Sequence, residues 1–183
     1  DGDAALAFLP AAAAEVLRRE LAAGRLTNGA LVERAILARL RQMTEEEFAA
    51  YDGGGEGLYH RVYDAVRRCA TVEELLAAVK TKRYTAARLR RMVLSAWLGL
   101  PKAPETVPYA RVLAANETGR ALLRQMRKAG APVLTKAADV AALGSGAEAL
   151  FRREAGYTDL YTLAYTDLAQ AVPGSDWRLT PMM

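Results

Sequence analysis

Most of the side chains in this sequence that could do chemistry are cationic, and they are concentrated in one stretch. Residues 80–128 contain 12 lysines and arginines but only two acids, Glu105 and Glu117, which gives a net charge of +10. Residues 1–60, 61–79 and 129–183 carry −4, 0 and −2, so the whole chain of 183 residues reaches only +4. A positive charge concentrated in this way predicts a surface that binds a polyanion.

The first group of cations surrounds the segment KTKRYT (80–85) and the helix predicted after it. We call this group the connector cluster; its members are Lys80, Lys82, Arg83, Arg88 and Arg91. Free N–H groups and the dipole at the start of a helix favour anions there. Tyr84 lies among these cations, where it could stack on an RNA base or belong to the core.

The second group lies on the helix predicted after Asn116. We call it the Arg120 face; its members are Arg120, Arg124, Arg127 and Lys128, opposite Leu122, Leu123 and Met126. Like charges four residues apart destabilise a helix by a few tenths of a kcal/mol per pair. A bound phosphate would relieve this repulsion, since arginine binds phosphate through two parallel hydrogen bonds. A face that is merely solvated is the alternative for either group taken alone.

Other chemistry is excluded by what the sequence lacks. One cysteine and one histidine rule out a disulfide framework and the common cysteine or histidine metal sites. No P-loop and no pairing of a nucleophile with a base can be written. His60 is expected to be a polar surface residue, so the segment is not expected to catalyse a reaction unaided.

The elements that position these residues are predicted to be mainly helical. Alanine supplies 38 of the 183 residues and favours helix. Two short parallel strands, at about 109–114 and 132–135, flank the helix that begins at Asn116 and form a small βαβ unit. The fold class is therefore a mainly α, multi-helix domain with this unit. We expect a helical region (1–105), a small α/β region packed on it (106–170) and a loose tail (171–183).

No apolar run in this sequence is long enough to span a bilayer, and no signal peptide opens it. We therefore expect a cytoplasmic protein that does not contact a membrane. The chain begins at Asp1, and we interpret it as one compact C-terminal domain of a longer protein.

Four segments together resemble one enzyme family. They are EGLYHRV (56–62), LLAAVKTKRYTAARLRRMVL (75–94), PYARVLAANETGRALLRQMR (108–127) and TDLYTLAY (158–165). KTKRYT followed by R-x-x-R, then Y-x-R-V-L with N-x-x-G, is similar to the C-terminal half of the bacterial tRNA(Met) cytidine acetate ligase family, a nucleotidyltransferase-like group.

The resemblance implies an enzyme that activates acetate with ATP and transfers the acetyl group to N4 of the wobble cytidine of elongator tRNA(Met). The family's H-x-G-H-type motif is not found in this sequence. It follows that ATP with magnesium would belong to a missing N-terminal nucleotidyltransferase domain, which would be a partner, and that this segment would hold no cofactor. The matching positions make the connector cluster the first candidates for tRNA contact, followed by Arg111 and Arg120.

Two other functions stay open. The basic surface could dock on an acidic protein partner, such as the missing domain, in a protein-interaction or scaffolding role. Sequence-specific DNA binding is the third reading, but the helix RYTAARLRRM does not follow a recognisable helix-turn-helix turn.

Overall fold

The structure is a computed structural model that describes residues 5–51, 57–100 and 107–182. The chain divides into two compact units. One, the helical unit, comprises Asn28–Ala103. The other, the α/β unit, combines Asp1–Thr27 with Pro104–Met183.

The helical unit is built from five described helices around an aliphatic core. They are α2 (Gly29–Gln42), α3 (Glu45–Ala49), α4 (Leu58–Val66), α5 (Val72–Val79) and α6 (Ala86–Leu98). Leu40, Phe48, Leu75 and Leu89 are buried at its centre. Each helix thus contributes apolar side chains at helical spacing to one core, which is the main source of stability for such short helices.

Polar caps fix where most of these helices begin. Thr44 and Glu47 form the predicted capping box of α3, and Thr71 Oγ1 accepts a hydrogen bond from the Glu74 N–H. Thr85 Oγ1 accepts from the Arg88 N–H at the start of α6. A threonine at these positions satisfies an N–H group that the helix leaves unpaired, so the sequence predicts these helix starts well.

The α/β unit contains a two-stranded parallel sheet and helices of very different lengths. Its elements are α1 (Ala11–Ala22), β1 (Ala110–Arg111), α7 (Glu117–Lys128), β2 (Val133–Leu134), a 3-10 helix (Ala137–Leu143), α8 (Ser145–Thr162), a second 3-10 helix (Leu168–Gln170) and α9 (Ser175–Arg178). Ala110 pairs with Val133 and Arg111 with Leu134. A mainly helical fold with two parallel strands is therefore confirmed.

The strands are shorter than predicted because the chain after β1 changes its partner. The Val112 N–H still donates to Leu134, but the Met182 N–H donates to Leu113 O at 3.1 Å and the Ala115 N–H donates to Met182 O at 2.9 Å. The backbone groups that would have extended the pairing with β2 are thus satisfied by the last described residue.

The segment expected to be a loose tail is packed instead. Trp177 of α9 meets Phe151 of α8 edge to face, with ring centroids 4.8 Å apart, and Asp176 is buried. The edge-to-face aromatic pair holds α9 against α8, and the buried carboxylate of Asp176 joins α9 to Arg111 of β1. No local pattern in the sequence PGSDWRLTPMM reveals either contact.

The first helix also belongs to this unit. Gly24, with φ of +67°, ends the turn after α1, and its carbonyl accepts the Asp167 N–H at 3.0 Å. A Cβ at Gly24 would lie 2.5 Å from Asp167 Cβ, so the close approach requires glycine. The prediction grouped residues 1–105 together; its boundary at 105 and 106 lies outside the described residues.

Within the ranges that the structure describes, no helix is both long enough and apolar enough to cross a membrane.

Candidate nucleic-acid interface

The connector between α5 and α6 is a closed turn anchored in the core. Thr81 Oγ1 accepts from the Tyr84 N–H at 3.0 Å, and the Thr81 N–H donates to Tyr84 O at 3.2 Å. The Tyr84 side chain is only 6% exposed. The two ends of the turn are therefore joined by hydrogen bonds, and the buried ring of Tyr84 anchors one of them in the core.

The cations of the connector cluster project from this turn and from α6. Lys80, Lys82, Arg83 and Arg91 are exposed and Arg88 is half-buried. The guanidinium carbons of Arg83 and Arg88 lie 5.9 and 5.3 Å from the centroid of the Tyr84 ring. Both arginines are thus held against one aromatic ring at cation–π distance.

The burial of Tyr84 decides between the two positions that the sequence leaves open for it, stacking on an RNA base and packing in the core. A ring with 6% exposure cannot offer its face to an RNA base, so the structure favours the core position over the stacking position. Its contacts with Arg83 and Arg88 are what connects it to the charged surface.

Counter-charges are scarce around this cluster. Within the described ranges, no carboxylate lies within 4.0 Å of Lys80, Lys82 or Arg91. Helix α6 has no acidic residue in its sequence, AARLRRMVLSAWL. Lys80, Lys82 and Arg91 therefore keep a positive charge that an anion could neutralise.

The Arg120 face lies on α7 in the other unit. All four of its cations are exposed, and Arg127 donates to Thr135 Oγ1. Asn116 Oδ1 caps α7 by accepting the Gly119 N–H at 2.9 Å, as the sequence predicts. No residue of α7 itself is buried, so this helix is held less firmly than α6.

An open groove of about 610 Å³ runs beside α7. Its lining is mostly aliphatic and includes Leu113 and Leu122, which are 64% and 55% exposed. The apolar side of α7 is therefore only partly covered within the described residues, a situation that marks contact sites for other molecules.

Arg111 does not join either group of cations. Its Nη2 lies 2.6 Å from Asp176 Oδ1, and its guanidinium carbon is 5.1 Å from the centroid of the Phe151 ring. The two side chains of this ion pair are only 23% and 12% exposed. The charge of Arg111 is neutralised inside the α/β unit by this ion pair. Arg111 therefore stabilises the position of α9 and is not available to contact RNA.

Sequence reasoning missed Asp176, since 65 positions separate it from Arg111 and no local pattern joins them. The Oδ2 atom of Asp176 is buried without a hydrogen-bond partner in the part of the chain that is described. Sequence reasoning also missed the role of Thr81, although a threonine three residues before a tyrosine is a recognisable signal for a side-chain turn.

His60 lies at the surface as expected, with Nδ1 in contact with Glu45 Oε1. Among the described residues, no three side chains of histidine, cysteine, aspartate or glutamate come together as a metal site.

Comparison with known proteins gives the class of this fold. A family model described as HIGH Nucleotidyl Transferase matches residues 2–174. The chain therefore belongs to the HIGH nucleotidyl transferase family.

The curated relatives point to one enzyme within that class. A tRNA(Met) cytidine acetate ligase from Thermoanaerobacter sp. (strain X514) is 34% identical over 127 residues, covering 67% of this chain and 31% of the relative. Another from Acetivibrio thermocellus is 28% identical over 184 aligned positions, covering 92% of this chain and 43% of the relative. The chain thus spans less than half the length of these relatives.

Solved structures show the same fold. Two crystal structures of Thermotoga maritima TmcAL, one apo and one bound with alpha-thio ATP, match with TM-scores of 0.84 and 0.83. Each is 24% identical to this chain, and the match covers 95% of this chain and 45% or 46% of the other.

The family match corrects two predictions. We expected the C-terminal part of the enzyme with its nucleotidyltransferase domain absent, which is wrong because the family model covers residues 2–174. The expected absence of any cofactor from this segment, with ATP and magnesium in a separate domain, is wrong on the same finding and on the match to the structure bound with alpha-thio ATP. The C-terminal assignment depended on four short segments and on the missing H-x-G-H motif, and the assignment of the cofactor depended on that motif, whereas the family model describes a much longer stretch. The comparisons also do not support that separate domain as a partner.

Proposed function

We propose that this chain acts in the tRNA(Met) cytidine acetate ligase reaction, the ATP-dependent acetylation of N4 of the wobble cytidine in elongator tRNA(Met). Its own contribution, on this proposal, includes binding tRNA phosphates with the connector cluster. The names of the relatives and the length of the match support the reaction.

The observation that carries the tRNA contact is the connector cluster itself. Its cations are exposed or half-exposed, they project from α6 and from a turn that is anchored by a buried tyrosine, and α6 itself contains no acidic residue. A turn whose backbone is already held in one conformation loses little backbone entropy when its cations bind phosphates, which favours it over cations of similar charge on a flexible loop.

The described grooves do not fit the triphosphate of ATP. The groove beside α7 has the volume for a nucleotide, but Arg111 is paired with Asp176 and the Asn116 side chain caps α7. A second groove, of about 590 Å³ in the helical unit, combines Arg90 with Glu33 and Glu73, whose charges would repel phosphate.

Charge reversal tests the tRNA contact. The variant Lys82→Glu, Arg83→Glu, Arg88→Glu should bind tRNA at least about tenfold more weakly than the unaltered chain, because each phosphate that it fails to neutralise removes part of the electrostatic affinity. The slope of log K against log salt should also become shallower, by about 0.7–0.9 for each such phosphate. Fluorescence anisotropy with labelled tRNA at several salt concentrations measures both quantities.

The matched control is Arg18→Glu, Arg34→Glu, Arg153→Glu, which makes the same change in net charge at exposed positions outside both groups. Equal weakening in the two variants would reduce the effect to overall charge. An absence of tRNA binding at low salt would refute the proposed contact.

The Arg120 face supports a second candidate function, docking on an acidic protein surface. The aliphatic groove beside it favours this candidate, because exposed leucines gain from covering by protein side chains rather than by a sugar–phosphate backbone. On this reading, charge reversal at Arg120, Arg124 and Lys128 leaves tRNA affinity nearly unchanged.

A further inference from the structure

We propose that the apolar groove of the helical unit is a surface through which this chain pairs with a second copy of itself. The groove has a volume of about 590 Å³ and is lined by the first two turns of α2, the first turns of α5 and the middle of α6. This pairing goes beyond the proposed function, because it needs no tRNA.

Most of the side chains that line the groove are apolar. Ile36 and Val93 are buried, Val72 and Leu76 of α5 are half-buried, and Leu94 of α6 is 44% exposed. An exposed leucine beside half-buried apolar side chains gains free energy when a second apolar surface covers it. The groove is therefore suited to contact with protein side chains.

Two exposed side chains of opposite charge also line the groove, Arg90 on α6 and Glu73 on α5. Within the described ranges, no group of opposite charge lies within 4.0 Å of either of them. The third charged residue of the groove, Glu33, accepts the Val72 N–H at 2.9 Å through Oε1, so it is already bound to the start of α5. One cation and one anion thus remain available to a ligand in this part of the chain that the structure describes.

A second copy of the chain carries the complementary pattern. If two copies meet about a two-fold axis that runs along the groove, α6 of each copy faces α5 of the other. Arg90 of each copy then approaches the other copy's Glu73, and Leu94 approaches the other copy's Leu76. A single ion would be attracted by one of the two charged groups and repelled by the other, whereas this arrangement neutralises both.

An exchange of charges tests the pairing. Sedimentation equilibrium of the unaltered chain should show a monomer–dimer equilibrium with a dissociation constant on the order of 10–100 μM, as suits a small interface. Arg90→Glu and Glu73→Arg each place like charges opposite each other and should each weaken dimerisation by at least about tenfold. The double variant Arg90→Glu, Glu73→Arg restores opposite charges and should return the dissociation constant to within about threefold of the unaltered value.

The matched control is Arg34→Glu, which makes the same change in net charge as Arg90→Glu at an exposed position of α2 outside the groove. It should leave the dissociation constant within about twofold of the unaltered value. Leu94→Ala tests the apolar part of the contact and should weaken dimerisation by about threefold or more. Circular dichroism checks that each variant is folded.

Three results would overturn the pairing. They are a monomer at every concentration up to about 1 mM, a dimer that neither single charge variant weakens, and a double variant that dimerises no better than the single ones. A monomeric chain in which Arg90→Glu weakens tRNA binding would also refute it and would assign Arg90 to the tRNA contact. Because the charge-reversed connector cluster is tested only against tRNA, the pairing and the proposed function can fail separately.

Discussion

The two groups of cations have similar charge, but the elements that carry them are packed into the protein to different extents. The connector cluster projects from a turn whose tyrosine is buried and from α6, which buries Leu89, Met92, Val93 and Ala96. The Arg120 face belongs to α7, which has no buried residue and borders an aliphatic groove. The comparison teaches that charge density alone does not define a binding surface; the rigidity of its support and the character of its surroundings decide which ligand it suits.

The largest expected difference between the two supports is in stability. Leu89→Ala removes a side chain that is 1% exposed on α6 and should lower the free energy of unfolding by about 2–5 kcal/mol. Leu122→Ala on α7 removes one that is 55% exposed and should change it by less than about 0.5 kcal/mol. Urea denaturation of the two variants measures both values, and equal losses would break the distinction.

A smaller difference is expected in tRNA affinity. The variant Arg120→Glu, Arg124→Glu, Lys128→Glu should bind tRNA within about threefold of the unaltered chain, against about tenfold or more for reversal of the connector cluster. The same anisotropy titration compares the two. If the two reversals weakened binding equally, the Arg120 face would have to be counted as part of the tRNA contact.

The α/β unit also contains a buried tyrosine, Tyr109, and this one carries a hydrogen bond on its hydroxyl. The Tyr109 hydroxyl of the α/β unit donates to Glu154 Oε2 at 2.6 Å. Burial, and then this hydrogen bond, raise the pKa of Tyr109 well above its usual value of 10.0. Because the pKa of Tyr109 is higher in the folded than in the unfolded state, the neutral hydroxyl contributes its full share to the free energy of unfolding below about pH 10. That contribution is lost as the pH rises from there toward the folded pKa.

We therefore expect the free energy of unfolding to fall above about pH 10 with a slope of at most about 1.4 kcal/mol per pH unit from this group. Tyr109→Phe should make that fall shallower, while costing about 1 kcal/mol at neutral pH for the missing hydrogen bond. Tyr161→Phe, at a half-exposed position of the same unit, is the control. An unchanged alkaline slope in Tyr109→Phe would contradict the assignment.

The smallest effect concerns repulsion along α7. Arg124→Glu places an acid four residues from both Arg120 and Lys128 and should stabilise the helix by about 0.3–0.5 kcal/mol for each new pair. Arg124→Gln removes the repulsion without adding attraction and serves as the comparison. Thermal unfolding of both variants at low salt measures the difference, and destabilisation by Arg124→Glu would show that Arg124 makes a favourable contact not explained by charge.

Local features of this fold could be predicted from the sequence, and distant ones could not. Four residues mark helix starts because each cap acts on the N–H group only three residues ahead: Thr44, Thr71, Thr85 and Asn116. The Arg111–Asp176 pair joins residues far apart in sequence, so neither the packed tail nor the neutralisation of Arg111 could be predicted.

The candidate site shows the same division. The exposure of Arg91 and of the Arg120 face followed from their spacing against the apolar face of their helices, because helical periodicity decides which side faces the core. The position of Tyr84 did not follow, since one aromatic residue in a polar connector fits either the surface or the core until the turn around Thr81 is known. The assignment of nucleotide chemistry to a separate domain was wrong because one motif was used to represent a family that matches nearly the whole chain.

The division of the chain has a consequence for the order in which its parts form during synthesis. The helical unit is one continuous segment, Asn28–Ala103, so every partner in its core is available once that segment has left the ribosome. The α/β unit needs residues from before and after that segment, because the Asp167 N–H donates to Gly24 O. It also needs Met182, whose N–H donates to Leu113 O. We expect the helical unit to become resistant to protease before Asp167 and Met182 are available to the α/β unit.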